Sequence, residues 1–219
     1  MLLDKVREVL YDPFPHVVIE NALDKTYYED LVRTQPTPQE ILRGRPYTSN
    51  QRLDLKTGLA LTELHSIWRE FVAYHISDEF VEKARRVFGF SEDRVFTRCQ
   101  PGLNTPSINS SRVRGPHLDN PSELYAGLFY MGSDDDGGDL ELYKWNDKPK
   151  RFHGKLEVED ECVGLVKTVP YRPNTYVMFL NTDKSLHGVT PRKSKHFRRL
   201  VNVIGDVDRP LFKVGHNQY

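Results

Sequence analysis

Two side chains that commonly bind metal ions, His117 and Asp119, stand two residues apart in the segment PHLDNP. In an extended backbone, residues i and i+2 project from the same face, so this imidazole and this carboxylate can point at one place. Both are suitable ligands for a divalent first-row metal. Such a pair is short and common, however, and a metal site needs at least one more ligand.

The best third ligand is His187, which follows the apolar run TYVMFL and precedes another β-type run. In a jelly roll, which the strand pattern of the chain predicts, strands far apart in sequence face each other. The long gap between Asp119 and His187 is therefore compatible with a shared metal site. Two histidines and one carboxylate on one face form the facial triad that leaves open positions on Fe(II). Zinc would favour a closed tetrahedral site or one open position, and no fourth soft ligand accompanies these residues. The donor set therefore favours iron.

The other six histidines have weaker claims to a metal. Two lie in helical patterns, and four lack a carboxylate at a useful spacing. We expect all six to be surface histidines or core histidines with satisfied hydrogen bonds. They are His16, His65, His75, His153, His196 and His216.

Arg198 opens the β-type run RRLVNVIG. A guanidinium can bind a carboxylate through two parallel hydrogen bonds, so it can anchor the far end of a dicarboxylate whose other end chelates the metal. Alternation along a strand places Arg198, Leu200 and Asn202 on one face and Arg199 on the other. Charge patterning alone favours a solvated edge strand. The upstream triad instead favours an inward-facing Arg198 and an outward-facing Arg199.

Five segments carry a resemblance to a known family, and they occur in its order: PHLDNP, LFYM, DGGDLELY, LHGVTP and RRLVNVIG. Over about residues 95–206 the chain resembles the 2-oxoglutarate/Fe(II) dioxygenases, in the prolyl-hydroxylase-like branch. The resemblance implies a double-stranded β-helix in which His117, Asp119 and His187 are the iron ligands and catalytic residues. It also implies that Arg198 binds the distal carboxylate of 2-oxoglutarate.

The activity implied by the resemblance is hydroxylation of an aliphatic carbon, with 2-oxoglutarate and O2 as co-substrates and succinate and CO2 as products. A free amino acid, a peptidyl side chain such as proline and a small metabolite remain open as substrates. Related halogenases carry a small residue at the carboxylate position, so Asp119 favours hydroxylation over halogenation. Relatives often place a carboxylate-binding tyrosine in the strand LFYM. Phe129 and Tyr130 stand there, and this contact is left unassigned.

Two other functions are considered. A metal-binding jelly roll that senses or stores a ligand would share the fold, but Arg198 argues against it. Repair of alkylated nucleic acid would need a basic docking face. The 31 basic and 31 acidic residues balance, which disfavours that role, although Arg112, Arg114 and residues 192–199 could form a local patch. We expect Arg112 and Arg114 to be surface residues, with a substrate contact as the alternative.

The elements that must position these residues fall into two parts. From residue 95 to 206, short β-type runs alternate with turns rich in Gly, Pro, Asn and Asp, which predicts a mainly β, cupin-like jelly roll. Asp134 to Asp136, before two glycines, are expected in a hairpin turn rather than a calcium site. The spacing of apolar residues in 1–94 predicts a mainly helical support region, in which Val17 to Ile19 form a short strand.

Helical spacing of apolar residues predicts three helices in particular. One contains Leu2, Leu3, Val6, Val9 and Leu10; the second contains Leu61, Leu64, Trp68, Phe71, Val72 and His75; the third contains Phe80, Val81, Ala84 and Val87 and ends at Gly89. Asp24 is the expected N-cap of a further helix through Leu31.

Length and composition favour a single domain over residues 1–219. No run reaches the roughly 18 apolar residues of a membrane span, and charged residues from Asp4 to Glu8 occupy the place of a signal peptide's apolar stretch. We therefore expect a cytoplasmic protein. The expected binding partner is a small-molecule or peptidyl substrate. Cys99 and Cys162 are expected to be buried thiols. The oligomeric state is not indicated.

Overall fold

The computed structural model describes residues 1–42, 51–52, 63–104, 106–111, 114–132, 137–153 and 155–214. Within these ranges the helices are α1 Lys25–Arg33, α2 Pro38–Leu42, α3 Ser66–His75 and α4 Asp78–Phe88. The strands are β1 His16–Ile19, β2 Gln51–Arg52, β3 Phe96–Asn104, β4 Ser107–Ser111, β5 Glu123–Tyr130, β6 Leu140–Trp145, β7 Val163–Val169, β8 Tyr176–Leu180, β9 His187–Val189, β10 Arg192–Ser194 and β11 Arg198–Asp206.

The strands form a major sheet, a minor sheet and a separate strand pair. The major sheet has the order β1-β8-β5-β11-β3-β2, the minor sheet has the order β7-β6-β9, and β10 pairs with β4. Every pairing among the described strands is antiparallel. The predicted class, mainly β with helices and antiparallel sheets, is confirmed.

The helices begin and end where their capping residues predict. Asp24 accepts a hydrogen bond from the Thr26 N–H at 3.0 Å at the start of α1. Ser77 caps α4 in the same way, and Gly89 ends that helix in the left-handed region, with φ of 72°. The predicted cap at Asp24, the helix end at Gly89 and the strand at Val17 to Ile19 are confirmed.

The helices cover one face of the major sheet. The Trp68 indole donates to the Leu31 carbonyl at 3.0 Å and ties α3 to α1. Phe71 of α3 stacks on Phe129 of β5 with ring centroids 6.0 Å apart. Val201 of β11 belongs to the same fully buried cluster. This face is apolar, so its burial is a main source of the fold's stability.

The helix predicted through Leu2 and Leu10 is wrong. Residues 1–10 form turns and extended backbone, and Leu10 pairs with His16 through two backbone hydrogen bonds of 2.8 Å. Leu2 and Leu3 are still buried in the helix-side core. A helix of this length is marginal on its own, so tertiary burial and strand pairing decide the conformation.

The β-type runs predicted between residues 95 and 206 are strands, whereas β2, β4, β9 and β10 were not predicted as strands. Leu61, Arg112, Asp134 to Asp136 and His216 lie outside the described residues. None of the described helices is both long enough and apolar enough to cross a bilayer.

Candidate metal centre

His117, Asp119 and His187 converge on one point. One potential ligand atom from each lies within 4.8 Å of the other two. Nε2 of His117 is 3.7 Å from Oδ1 of Asp119, and Nε2 of His187 is 3.5 Å from Oδ2. Both imidazoles are buried and the carboxylate is 17% exposed. The arrangement therefore offers two nitrogens and one carboxylate to a single ion, with one side open to a cavity.

The two histidines are held by the same backbone ladder. The His117 N–H donates to the His187 carbonyl at 2.9 Å, and the His187 N–H donates back at 3.1 Å. Nδ1 of His117 bonds to the Gly115 carbonyl at 2.7 Å, and Nδ1 of His187 bonds to the Ser185 carbonyl at 2.9 Å. Because a carbonyl only accepts, Nδ1 is the donor in both rings, and Nε2 is the nitrogen that each ring directs toward Asp119.

A buried polar chain fixes the loops that lead to the site. The Ser185 hydroxyl donates to Asn181 Oδ1 at 3.0 Å, and the Asn181 amide donates to the Asn120 carbonyl at 2.8 Å. Asn120 follows Asp119 directly, so this chain connects the turn after the carboxylate with the turn before His187. Buried hydrogen-bonded networks of this kind restrict the geometry of the groups they join.

The connector between β6 and β7, described for residues 146–153 and 155–162, packs along the segment that contains His117 and Asp119. The Leu118 N–H donates to the Leu156 carbonyl at 3.1 Å, and the Val158 N–H donates to the Pro116 carbonyl at 2.8 Å. These bonds pair the connector with the strand-like stretch that contains His117 and Asp119.

Arg114 links the connector to the carboxylate of Asp119. Its Nη2 donates to Oε1 of Glu157 at 2.9 Å, and its Nη1 lies 3.7 Å from Oδ1 of Asp119. Burial alone would raise the pKa of Glu157, but the bonds from Arg114 and nearby backbone N–H groups outweigh it and lower that pKa. Arg114 is only one-third exposed and lines the cavity. The expectation of a plain surface residue is wrong for Arg114.

Arg198 is 2% exposed and lines the same cavity as the three converging residues. Its Nε donates to the Gly138 carbonyl at 2.8 Å, and Nη1 donates to Oδ1 of Asn104 at 3.0 Å. Its guanidinium carbon lies 5.2 Å from the ring centre of Tyr130 and 4.6 Å from that of Tyr171. The side chain is thus held in one orientation from three directions.

Two buried donors beside this cavity have no hydrogen-bond partner among the described residues: Nη2 of Arg198 and the hydroxyl of Tyr130. Burial raises the pKa of Tyr130 to about 12, and the Arg198 charge opposes that rise. The hydroxyl is therefore protonated and able to donate. An unsatisfied buried donor costs about 1–3 kcal/mol, so two together indicate a site built for an acceptor such as a carboxylate.

Gly138 allows the backbone to approach Arg198 this closely. A Cβ at Gly138 would lie 2.9 Å from Cδ of Arg198, and the residue has φ of 81°. Both features exclude a larger side chain.

Arg199 points to the opposite face, as alternation predicts. It is half-buried there, and its Nη1 donates to the Pro36 carbonyl at 2.8 Å. Burial lowers the pKa of its guanidinium. Arg199 was expected on an outer, solvated face; that face is instead covered by the N-terminal region.

Within the described part of the chain, no other group of His, Cys, Asp and Glu side chains converges as a metal site would require. His16 and His75 are fully buried and hydrogen-bonded through Nδ1 to the carbonyls of Phe14 and Phe71. Cys99 and Cys162 are buried free thiols, as predicted. Sequence reasoning missed Glu123 and Glu157, because a single acid outside a motif gives no signal of its position.

No protein-family model matches the sequence, and neither does any curated protein. Solved structures do match. A prolyl 4-hydroxylase from Phytophthora capsici is 18% identical with a TM-score of 0.59, covering 93% of this chain and 63% of that one. A prolyl hydroxylase from Trichoplax adhaerens, in complex with a hypoxia-inducible-factor peptide, is 14% identical with a TM-score of 0.53, covering 94% and 87%.

A third similar structure is the epimerase SnoN with Fe3+, α-ketoglutarate and nogalamycin RO. It is 12% identical with a TM-score of 0.55, covering 87% of this chain and 78% of that one. At these identities the likeness is one of fold. The fold of the chain is therefore similar to that of structures described as prolyl hydroxylases and as an α-ketoglutarate-bound epimerase.

Proposed function

We propose that this chain is an Fe(II)- and 2-oxoglutarate-dependent dioxygenase that hydroxylates an aliphatic carbon, with residues 1–219 forming one domain around a double-stranded β-helix. The observation that carries the proposal is the pairing of two features in one cavity. At one end His117, Asp119 and His187 converge. At the other, Arg198 lines the cavity, and Arg198 and the neighbouring buried Tyr130 each hold a donor without a partner among the described residues.

In this proposal His117, Asp119 and His187 would hold Fe(II), with 2-oxoglutarate in the cavity beside it. With dioxygen as the oxidant, iron and 2-oxoglutarate would supply oxidative decarboxylation of the co-substrate to succinate and CO2, coupled to hydroxylation of the substrate.

The protein's own part is binding and orientation. Arg198 Nη2 and the Tyr130 hydroxyl donate to the distal carboxylate of 2-oxoglutarate, and the fixed position of Arg198 sets its distance from the metal. Leu128, Leu140 and Phe179 line the cavity between its two ends and exclude water from it.

The alternatives fit the site less well. A sensor or storage protein needs no second anion site opposite the metal, which leaves the unpartnered donors of Arg198 and Tyr130 unexplained. Nucleic-acid repair needs a basic surface, whereas Arg114 at the cavity is paired with Glu157. The presence of Asp119 favours hydroxylation over halogenation. The substrate class is a free amino acid, a peptidyl side chain or a small metabolite.

The direct test is Fe(II)-dependent conversion of 2-oxoglutarate to succinate, measured by mass spectrometry with panels of free amino acids and proline-containing peptides. We expect succinate from the wild type and none from His187→Ala. The matched control is His153→Ala, because His153 is exposed and should leave the rate unchanged. Equal rates in both variants, or no succinate from the wild type under any condition, would refute the proposal.

A further inference from the structure

Glu123 is a carboxylate on the cavity wall to which the proposed reaction gives no role. It begins β5 and lines the cavity that contains Asp119 and Arg198. Its side chain is only 14% exposed. Carboxylates are rarely this buried without a partner or a function.

A β-bulge turns Glu123 toward the cavity. Gly205 pairs with Tyr125, but the next residue of β11, Asp206, pairs with Glu123, so Leu124 is an extra residue on β5. Leu124 and Tyr125 both pack in the helix-side core. Without the bulge, Glu123 would share the helix-side orientation of Tyr125. Bulges commonly re-aim side chains next to active sites.

The hydrogen bonds of Glu123 leave one carboxylate oxygen available. Oε1 accepts from Nη2 of Arg98 at 2.8 Å, and that same nitrogen donates to Oδ1 of Asp206 at 2.9 Å. Nε of Arg98 also donates to Asp206. Oε2 of Glu123 has no hydrogen-bond partner within the described part of the chain, so it can accept from a ligand.

The charged groups around the cavity leave one negative charge over. Arg114 pairs with Glu157, and the single charge of Arg98 is shared between Asp206 and Glu123. In the proposed enzyme, Fe(II) and Arg198 would together offset Asp119 and the doubly charged 2-oxoglutarate. One negative charge of the two carboxylates that share Arg98 remains, and of these two Glu123 lines the cavity.

The protonation behaviour of Glu123 agrees with this imbalance. Burial, and next the nearby Asp119 charge, raise the pKa of Glu123 to about 7, and the bond from Arg98 only partly offsets them. A cation placed beside this carboxylate would relieve the repulsion that raises the pKa.

We propose that the substrate carries an ammonium or guanidinium group, which binds Oε2 of Glu123 while the carbon to be oxidised faces the metal. This inference rests on the proposed function for the position of the metal. The second polar group on this wall is Asn202, which is 3% exposed and lines the cavity, and its side chain makes no hydrogen bond to another described residue. It can orient the same ligand.

The test uses three probe pairs that differ in one positive charge: L-arginine and L-citrulline, L-lysine and Nε-acetyl-L-lysine, L-proline and N-acetyl-L-proline. Binding to the protein with 2-oxoglutarate present is measured by ligand-observed NMR, which does not require turnover. We expect the charged member of at least one pair to bind about ten-fold more tightly than its neutral partner, the usual gain from a charge-assisted hydrogen bond. No preference in any pair would overturn the proposal.

Two variants assign the preference to Glu123. Glu123→Gln keeps the shape and the acceptor toward Arg98 but removes the charge, and it should reduce the preference to about two-fold or less. Glu20→Gln removes a carboxylate charge from an exposed residue that does not line the cavity, so the preference should persist. Equal losses in both variants, or an unchanged preference in Glu123→Gln, would show that Glu123 does not bind the cation.

The two proposals fail in different ways. Succinate release without any charge preference refutes the cation site and leaves the dioxygenase assignment standing. Charge-selective binding without succinate release refutes the reaction and leaves the cation site standing.

Discussion

The two faces of β5 and β11 have opposite characters. On the helix face, Phe129, Val201 and Val203 are fully buried in an apolar core. On the cavity face of the same strands, Tyr130 and Arg198 are equally buried but hold donors without partners among the described residues. Because side chains alternate along a strand, adjacent residues serve these two environments.

The difference shows that stability and binding are separated across one sheet. Burial of apolar side chains on the helix face stabilises the fold. Each unsatisfied donor on the cavity face costs about 1–3 kcal/mol, which the fold tolerates because the other face is so well packed. Substitutions on the two faces should therefore have different consequences.

The largest expected effect comes from the metal end of the cavity face. Asp119→Gly should abolish succinate formation, because it removes the charged ligand of the proposed iron site, while leaving the helix-face core intact. Opening a coordination position should not create a halogenase by itself. Mass spectrometry of products formed in chloride buffer tests both points; a chlorinated product from the unmodified protein would contradict the interpretation of Asp119.

The next effect belongs to the helix face. Phe71→Ala should lower the free energy of unfolding by about 3–5 kcal/mol, the usual cost of a large cavity in a core. The molecules that remain folded should bind 2-oxoglutarate normally. Urea unfolding measures the loss, and Phe96→Ala is the control, because Phe96 is 63% exposed and should cost about 0.5 kcal/mol or less. If the folded Phe71→Ala protein also lost affinity for 2-oxoglutarate, the two faces would not be independent.

The adjacent arginines test the comparison within one strand. Arg198→Ala should raise the 2-oxoglutarate requirement at least ten-fold, since each charge-assisted hydrogen bond contributes about 1.5–3 kcal/mol. Arg199→Ala should leave that requirement nearly unchanged and instead cost about 1 kcal/mol of stability through its bond to the Pro36 carbonyl. Titration of 2-oxoglutarate against succinate production distinguishes them, and a larger defect in Arg199→Ala would mean that the wrong arginine was chosen.

Tyr130→Phe refines the same measurement. It removes one neutral donor, worth about 0.5–1.5 kcal/mol, so its effect on 2-oxoglutarate should be smaller than that of Arg198→Ala. No effect at all would show that the Tyr130 hydroxyl does not contact the co-substrate.

The smallest effect is a pH dependence on the helix face. Burial holds the pKa of His75 at about 3, well below its ordinary 6.5. As pH falls below about 6.5 the unfolded chain gains a proton here and the folded chain does not, so stability falls with pH. Between pH 7 and 5.5, the free energy of unfolding of His75→Phe should therefore fall by about 1 kcal/mol less than that of the wild type. Denaturant unfolding of both proteins at the two pH values tests this. An equal loss of stability in the wild type and in His75→Phe would contradict it.

The sequence was sufficient for features that depend on local periodicity. The i, i+2 spacing of His117 and Asp119 predicted a shared direction, and alternation separated Arg198 from Arg199. Both follow from strand geometry, which needs no knowledge of neighbouring elements. The roles of these residues in binding iron and 2-oxoglutarate remain proposals.

The sequence was insufficient where a distant partner decides the outcome. Glu123 faces the cavity only because Leu124 bulges against β11, and a bulge reverses the alternation that a pattern would predict. Arg114 was expected at the surface because its partner Glu157 lies 43 residues away. The apolar spacing of the first ten residues correctly indicated that Leu2 and Leu3 are buried. The helix that it predicted does not form, because Leu10 pairs with His16 instead.

The connector, described for residues 146–153 and 155–162, contacts the segment of His117 and Asp119 although it contributes none of the three converging side chains. Its bonds to Pro116 and Leu118, and the Glu157 to Arg114 pair, make an ordered connector part of the metal-binding conformation. Linkage is reciprocal, so iron bound to that conformation must hold the connector in place by the same free energy. In the proposed enzyme, protease resistance of this segment would therefore report how much of the protein carries iron.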